Sequence, residues 1–166
     1  MRYAVAFTGP SGSGKTTLVE KLSYKLTKSR RVAIIKHDPS DKAVFDRDGK
    51  DSDRFYKSGA QTAVISPTRT TLMLHHTSTL EQMYDHFGEF DLLMVEGLKT
   101  LPLPRIAIFR GEIDESYLAV SEAIAVDDTV DISQYDIPDG IDILDLNSVD
   151  DIINWIDNNA KRIDTK

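Results

Sequence analysis

An α/β domain on a mostly parallel sheet is the fold class this sequence predicts, from three observations. Residues 3–7 (YAVAF) form a short apolar run of strand type that passes through a glycine-rich loop into a helical stretch. A second apolar run at residues 31–36 completes a β-α-β unit. The 166 residues, 40% hydrophobic and 28% charged, suffice for one domain with a sizeable core and are too few for two comfortable ones. Residues 1–166 are therefore read as one domain.

The loop in that unit, Gly9-Pro10-Ser11-Gly12-Ser13-Gly14-Lys15-Thr16, fits Gly, any four residues, then Gly-Lys-Ser/Thr at every defined position. Strand before and helix after is the context the chemistry requires. Glycines at 9, 12 and 14 let main-chain N–H groups approach phosphate oxygens, and the following helix N-terminus adds donors and a favourable dipole. In this pattern Lys15 reaches the β- and γ-phosphates and the Thr16 hydroxyl ligates Mg²⁺. The expected fold is a P-loop NTPase-like three-layer fold holding a nucleoside triphosphate or a close phosphorylated relative.

Composition narrows the classes. A net charge of −7 argues against nucleic acid or an anionic membrane as partner, so any phosphate must be held locally. No apolar run approaches the ~20 residues that span a bilayer. With no cysteine, disulfides, thiolate zinc sites and cysteine nucleophiles are excluded, and a cytoplasmic location is expected. The four histidines have no zinc-ligand spacing, and the adjacent His75 and His76 point to opposite faces if extended.

Along the chain, Leu18, Leu22 and Leu26 predict a helix with one buried face, ending near residues 28–30. Residues 31–36 predict a parallel strand covered on both faces. A charged loop follows over 39–50, then a short helix at 51–58 stopped by Gly59. Residues 62–66 and 70–74 predict a β-hairpin or two adjacent edge strands, and 79–87 a helix before Gly88. Later strands are expected at 91–95, 105–109, 123–126 and 142–146. A final helix follows Ser148, with Val149, Ile152, Ile153 and Ile156 as its apolar stripe and Trp155 flanking it.

Residues 91–95 end in Glu96-Gly97, the form of a Walker B element, which places Glu96 on the ligand-gathering rim of a parallel sheet. Glu96 could hold Mg²⁺ directly or through water, orient an attacking water, or be a rim carboxylate without a chemical role. Asp38 offers a second metal-shell carboxylate or general base, or simply a turn before Pro39. His37 could contact phosphate or relay a proton, against a structural role. The guanine-reading Asn/Thr-Lys-x-Asp element is absent, so spacing does not separate GTP from ATP.

These pieces resemble, in order, the molybdopterin-guanine dinucleotide biosynthesis protein B family. The resemblance runs through residues 9–18, 35–37, 49–52, 58–60, Arg69, Leu72 and Met73, 95–99, 106–110 and 125–127. It implies a homodimeric GTP-binding accessory protein that hydrolyses GTP slowly and assists a molybdenum cofactor guanylyltransferase joining GMP to molybdopterin, giving the guanine dinucleotide. It also implies that Gly12, Ser13, Gly14, Lys15, Thr16 and Thr17 hold the triphosphate and Mg²⁺. Lys36, His37, Lys50 and Asp51 would border the site, and Glu96 with Lys99 would complete its rim. The family commonly carries further histidines after Lys-His, where this chain has Asp38-Pro39-Ser40-Asp41. Two rival readings are a small-molecule or nucleotide kinase with Asp38 as base, and a binding module whose conformation is set by nucleotide.

Overall fold

The apolar run that opens the chain becomes β1 (Tyr3–Thr8), and every residue in it after Tyr3 is buried. It is covered because it is central: β5 (Leu92–Glu96) lies parallel on one side and β6 (Arg105–Phe109) parallel on the other. The computed structural model describes residues 1–163, so the last part of the span read as one domain, 164–166, lies outside the described residues. Two units are distinguished: residues 1–37 with the chain from Phe87 onward, and Asp38–His86.

In the first unit the sheet runs β2 (Val32–Lys36), β5, β1, β6, β7 (Ala123–Val126), β8 (Asp142–Asp145), all parallel, with β9 (Lys161–Arg162) antiparallel beside Tyr3 and Ala4. Helices α1 (Lys15–Leu26) and α4 (Val149–Asn159) cover one face. Leu18, Val19, Leu22 and Leu26 of α1 and Ile152, Trp155 and Ile156 of α4 share one core with Val5, Phe7, Met94, Ile106 and Ile108. Each fully buried Leu or Ile there is worth roughly 1.5–3 kcal/mol of transfer free energy. On the other face, Ala107, Phe109, Ile124 and Val126 pack with Ile113, Leu118 and Val130, carried on loops that hold two 3-10 turns (Glu115–Val120 and Ile132–Gln134). The expected three layers are thus present, the second covered face by turns in place of long helices.

Several expectations need correction. Strand β2 is an edge strand: its pairing is with β5, and Ile34 is 39% exposed. Its continuous apolar run signals one well-buried position, Ala33, and not burial on both faces. Helix α1 stops at Leu26, where the Thr27 N–H reaches the Ser23 carbonyl, before the basic residues at 28–30. Trp155 is 5% exposed and sits within the buried stripe while Val149 and Ile153 are only partly buried. Its indole N–H donates to Asp142 at 2.7 Å, and this satisfied polar handle lets the ring go inside.

The second unit holds the loop over 39–50, α2 (Asp51–Lys57), the hairpin of β3 (Thr62–Ile65) and β4 (Thr70–Met73), and most of α3 (Leu80–Phe87). The hairpin closes as expected, with the Ser66 N–H donating to the Arg69 carbonyl at 2.9 Å. Tyr56 of α2 stacks on His75 with ring centroids 4.0 Å apart, and its hydroxyl donates to the Leu74 carbonyl.

Candidate functional site

Strand order fixes where a ligand can sit. From β1 the chain crosses to β2 on one side of the sheet, and from β5 it crosses back to β6 on the other, so the C-terminal end of β1 is a topological switch point. The glycine loop occupies that point. Gly9 has φ +136°, and a Cβ there would overlap the Ile108 carbonyl oxygen of β6, so the loop is pressed onto its neighbouring strand in a way only glycine permits.

The loop carries three marks of a built anion site. Helix α1 begins at Gly14 without a side-chain cap, leaving its first N–H donors to face outward from the loop. Ser13 is buried and its hydroxyl has no hydrogen-bond partner among the described residues. Lys15 turns its ammonium back onto the Gly9 and Pro10 carbonyls at 2.9 and 2.6 Å. Burial lowers the Lys15 pKa, Glu96 opposes that, and Lys36 and Lys99 add to the lowering.

Glu96 ends β5 in register with Lys36 of β2 and Phe7 of β1. It is buried, and Lys36 Nζ donates to its Oε1 at 3.0 Å. The Thr16 hydroxyl stands 3.5 Å from both Glu96 carboxylate oxygens. A hydroxyl and a carboxylate are the hard oxygen donors Mg²⁺ takes, and this ion usually completes its shell with substrate phosphate and water. Among the described residues no three acidic or histidine side chains gather into a cage. The donors present therefore fit a metal shared with a phosphate better than a resident one.

The other sequence candidates fall as follows. Thr17 is exposed in the first turn of α1. His37 donates its backbone N–H to the Glu96 carbonyl at 2.9 Å. Gly97, at φ +94°, leaves room for it, since a Cβ there would come within 3.0 Å of His37 Cβ. Lys99 lies two residues on, its Nζ 3.5 Å from the Tyr117 ring centroid. Lys36 and Lys99 both act on the Lys15 charge, as Glu96 does, an excess of positive charge in an acidic protein. Asp38, Lys50 and Asp51 belong to the second unit. The Asp38 carboxylate accepts from the backbone N–H groups of Ser40, Lys42 and Ala43, as a turn-forming aspartate does. Lys50 precedes α2 as its N-cap residue, and Asp51 opens the helix 3.9 Å from Arg54.

Sequence reasoning missed Arg105. It is 2% exposed and donates to the Val120, Leu98 and Leu101 carbonyls at 3.1, 3.0 and 3.1 Å, holding the turn that carries Lys99. A lone arginine opening an apolar strand was its only signal. Arg110 and Asp127 entered only through the resemblance, without a role; here they directly follow β6 and β7 and form an ion pair at 3.4 Å. Among the described residues no helix is long and apolar enough to cross a membrane.

Comparison with known proteins shows what this chain is similar to. Residues 4–128 match the family model described as molybdopterin guanine dinucleotide synthesis protein B. A Haemophilus influenzae protein named molybdopterin-guanine dinucleotide biosynthesis adapter protein is 31% identical over 163 residues, covering 93% of this chain and 87% of that protein. An Escherichia coli protein of the same name is 30% identical, covering 92% and 90%. The crystal structure of Bacillus subtilis MobB superposes with a TM-score of 0.75 at 24% identity, covering 97% of this chain and 99% of that one, a likeness of fold.

Proposed function

Because this chain belongs to the molybdopterin guanine dinucleotide synthesis protein B family, we propose that it is a nucleotide-binding adapter in the step that attaches GMP to molybdopterin. Its curated relatives bear the adapter name, and the observation that carries the nucleotide part is the loop itself. An uncapped helix start, an orphaned Ser13 hydroxyl and a cluster of three lysines are what a triphosphate would satisfy. Gly12, Ser13, Gly14 and Thr17 line the phosphates in this reading, and Lys15 leaves the Gly9 and Pro10 carbonyls to meet them. Thr16 and Glu96 are the groups that would hold Mg²⁺, which when bound neutralises phosphate charge. Lys36 and Lys99 supply the remaining positive field.

The nucleotide is GTP in this proposal, and turnover is slow, since neither a water-orienting glutamine nor an arginine aimed at the γ-phosphate has been assigned. Such groups are worth roughly 10³–10⁵ in rate. The partner is the molybdenum cofactor guanylyltransferase, and the protein acts as a homodimer in the cytoplasm. Calorimetric titration with non-hydrolysable GTP and ATP analogues and Mg²⁺, on wild type and Lys15→Ala, tests this. Preference for the guanine analogue, with affinity reduced about tenfold or more in the variant, is expected from the loss of charge-assisted hydrogen bonds. Equal or stronger ATP binding would refute the guanine assignment.

A further inference from the structure

The two flanks of the phosphate loop are unlike, and the difference orients the nucleotide. On the β5 flank stand Glu96, the Thr16 hydroxyl 3.5 Å from it, and Lys36. Those oxygens would hold a divalent ion, which would neutralise charge on the terminal phosphates of a bound triphosphate. With that end of the ligand toward β5, its ribose and base would leave across the opposite flank, where β6 and β7 follow β1 in the sheet.

Arg110 is the side chain waiting there. It follows β6 directly, and its guanidinium lies along Gly14: a Cβ at that glycine would stand 3.1 Å from Nε and 3.7 Å from Cζ and Nη2. The far end is tied by Nη1 to Asp127 Oδ2 at 3.4 Å. Asp127 is itself fixed, accepting from the Thr129 hydroxyl and from the Thr129 N–H at 3.2 Å, while Gly111 N–H donates to the same hydroxyl oxygen at 2.8 Å. Those hydrogen bonds hold the Asp127 carboxyl below its ordinary pKa, so it stays anionic opposite the guanidinium. The plane of Arg110 thus lies beside the loop along one edge and is tied to a buried carboxylate at its far end, yet the side chain remains 47% exposed.

A tethered, half-open guanidinium plane beside the exit path of the base has a specific use. Arginine stacks face to face on nucleobases, and a plane held in advance loses little entropy in doing so. Resting on the nucleotide reading given above, we infer that Arg110 is the platform on which the purine base of the bound nucleotide stacks, with Asp127 as the positioning residue that sets its plane. The phosphate loop and the base platform are then one continuous surface, joined at Gly14.

The test compares a guanosine triphosphate analogue with inorganic tripolyphosphate, each with Mg²⁺, on wild type, Arg110→Ala, Arg110→Lys and Lys15→Ala, with thermal melts to establish folding. Loss of one stacked base by truncation corresponds to roughly a 5- to 150-fold drop in affinity. The expected result is such a drop for the nucleotide in both Arg110 variants, with tripolyphosphate affinity unchanged. Lysine should fail because it keeps the charge and loses the plane. Parallel loss of both ligands, full rescue by lysine, or unchanged nucleotide affinity would each overturn the inference. A wild type that binds tripolyphosphate through Lys15 but gains nothing from the base would overturn it while leaving the phosphate site standing. A wild type that binds neither would overturn the nucleotide reading and this inference together.

Discussion

Replacing Arg105 with alanine should destabilise the fold by about 3–5 kcal/mol, the range for breaking a buried charged network. The magnitude follows from its surroundings. The guanidinium makes three hydrogen bonds to carbonyls of two loops, and such bonds from a charged donor contribute about 1.5–3 kcal/mol each. Against that gross gain stands the desolvation of the cation, several kcal/mol, which also lowers the Arg105 pKa. Its Nε has no partner among the described residues, so the network is incompletely satisfied and the net falls well below the sum. For a chain of this size the change corresponds to roughly 6–20 °C in Tm. Urea unfolding followed by circular dichroism, with m compared between variants, measures it. Arg105→Lys, which offers a point charge where a planar fork was needed, should recover only part of the loss. A cost below about 1 kcal/mol with unchanged m would refute the claim that this side chain holds the 98–101 turn.

Three further outcomes follow from the same geometry. Gly9→Ala should abolish phosphate binding, because its Cβ would displace the loop from Ile108 of β6; calorimetry with tripolyphosphate checks it. Trp155→Phe keeps most of the buried ring but leaves the Asp142 carboxylate without its indole donor, and should cost about 1–2 kcal/mol in urea unfolding. Lys15 has its pKa lowered by burial, so below that pKa the folded state carries a desolvated cation, and stability due to this group rises with pH as it deprotonates ahead of its unfolded value of 10.5. Bound tripolyphosphate reverses the sign by favouring the cation; NMR titration of the lysine Cε resonances should show the Lys15 pKa rising on addition of ligand, and an unchanged Lys15 pKa would refute the contact.

What could be read in the sequence was what is local. The loop from Gly9 to Thr16 is contiguous, and Glu96 ends its own apolar run, so motif and periodicity reached both. Strand order is not local. The Lys36–Glu96 pair, the grip of Arg105 on the 98–101 turn, and the Arg110–Asp127 bridge each join residues from different strands or loops, and no spacing encodes them. The same ignorance misjudged β2, since an edge strand with one deeply buried residue has the same composition as an interior one. Asp38 was ambiguous because a turn-forming and a metal-binding aspartate look alike before the N–H groups around them are known.

The central place of β1 has a consequence for how the chain assembles. It is synthesised well before its partners, Leu92–Glu96 and Arg105–Phe109, with Lys161 and Arg162 closing beside its start. At about 5–20 residues per second, several seconds of synthesis separate β1 from β5. Throughout that interval a strand whose residues after Tyr3 are all destined for burial has α1, the edge strand β2 and the elements from α2 to α3 made after it, yet its pairing is with β5, β6 and β9, and β2 itself pairs with β5. The nascent protein therefore holds an open, apolar strand whose pairing partners among the described residues all come later in the chain. The emergence of β5, which zips β2 and β1 together in one event, is the moment at which that hazard ends and the rim carrying Glu96 first exists.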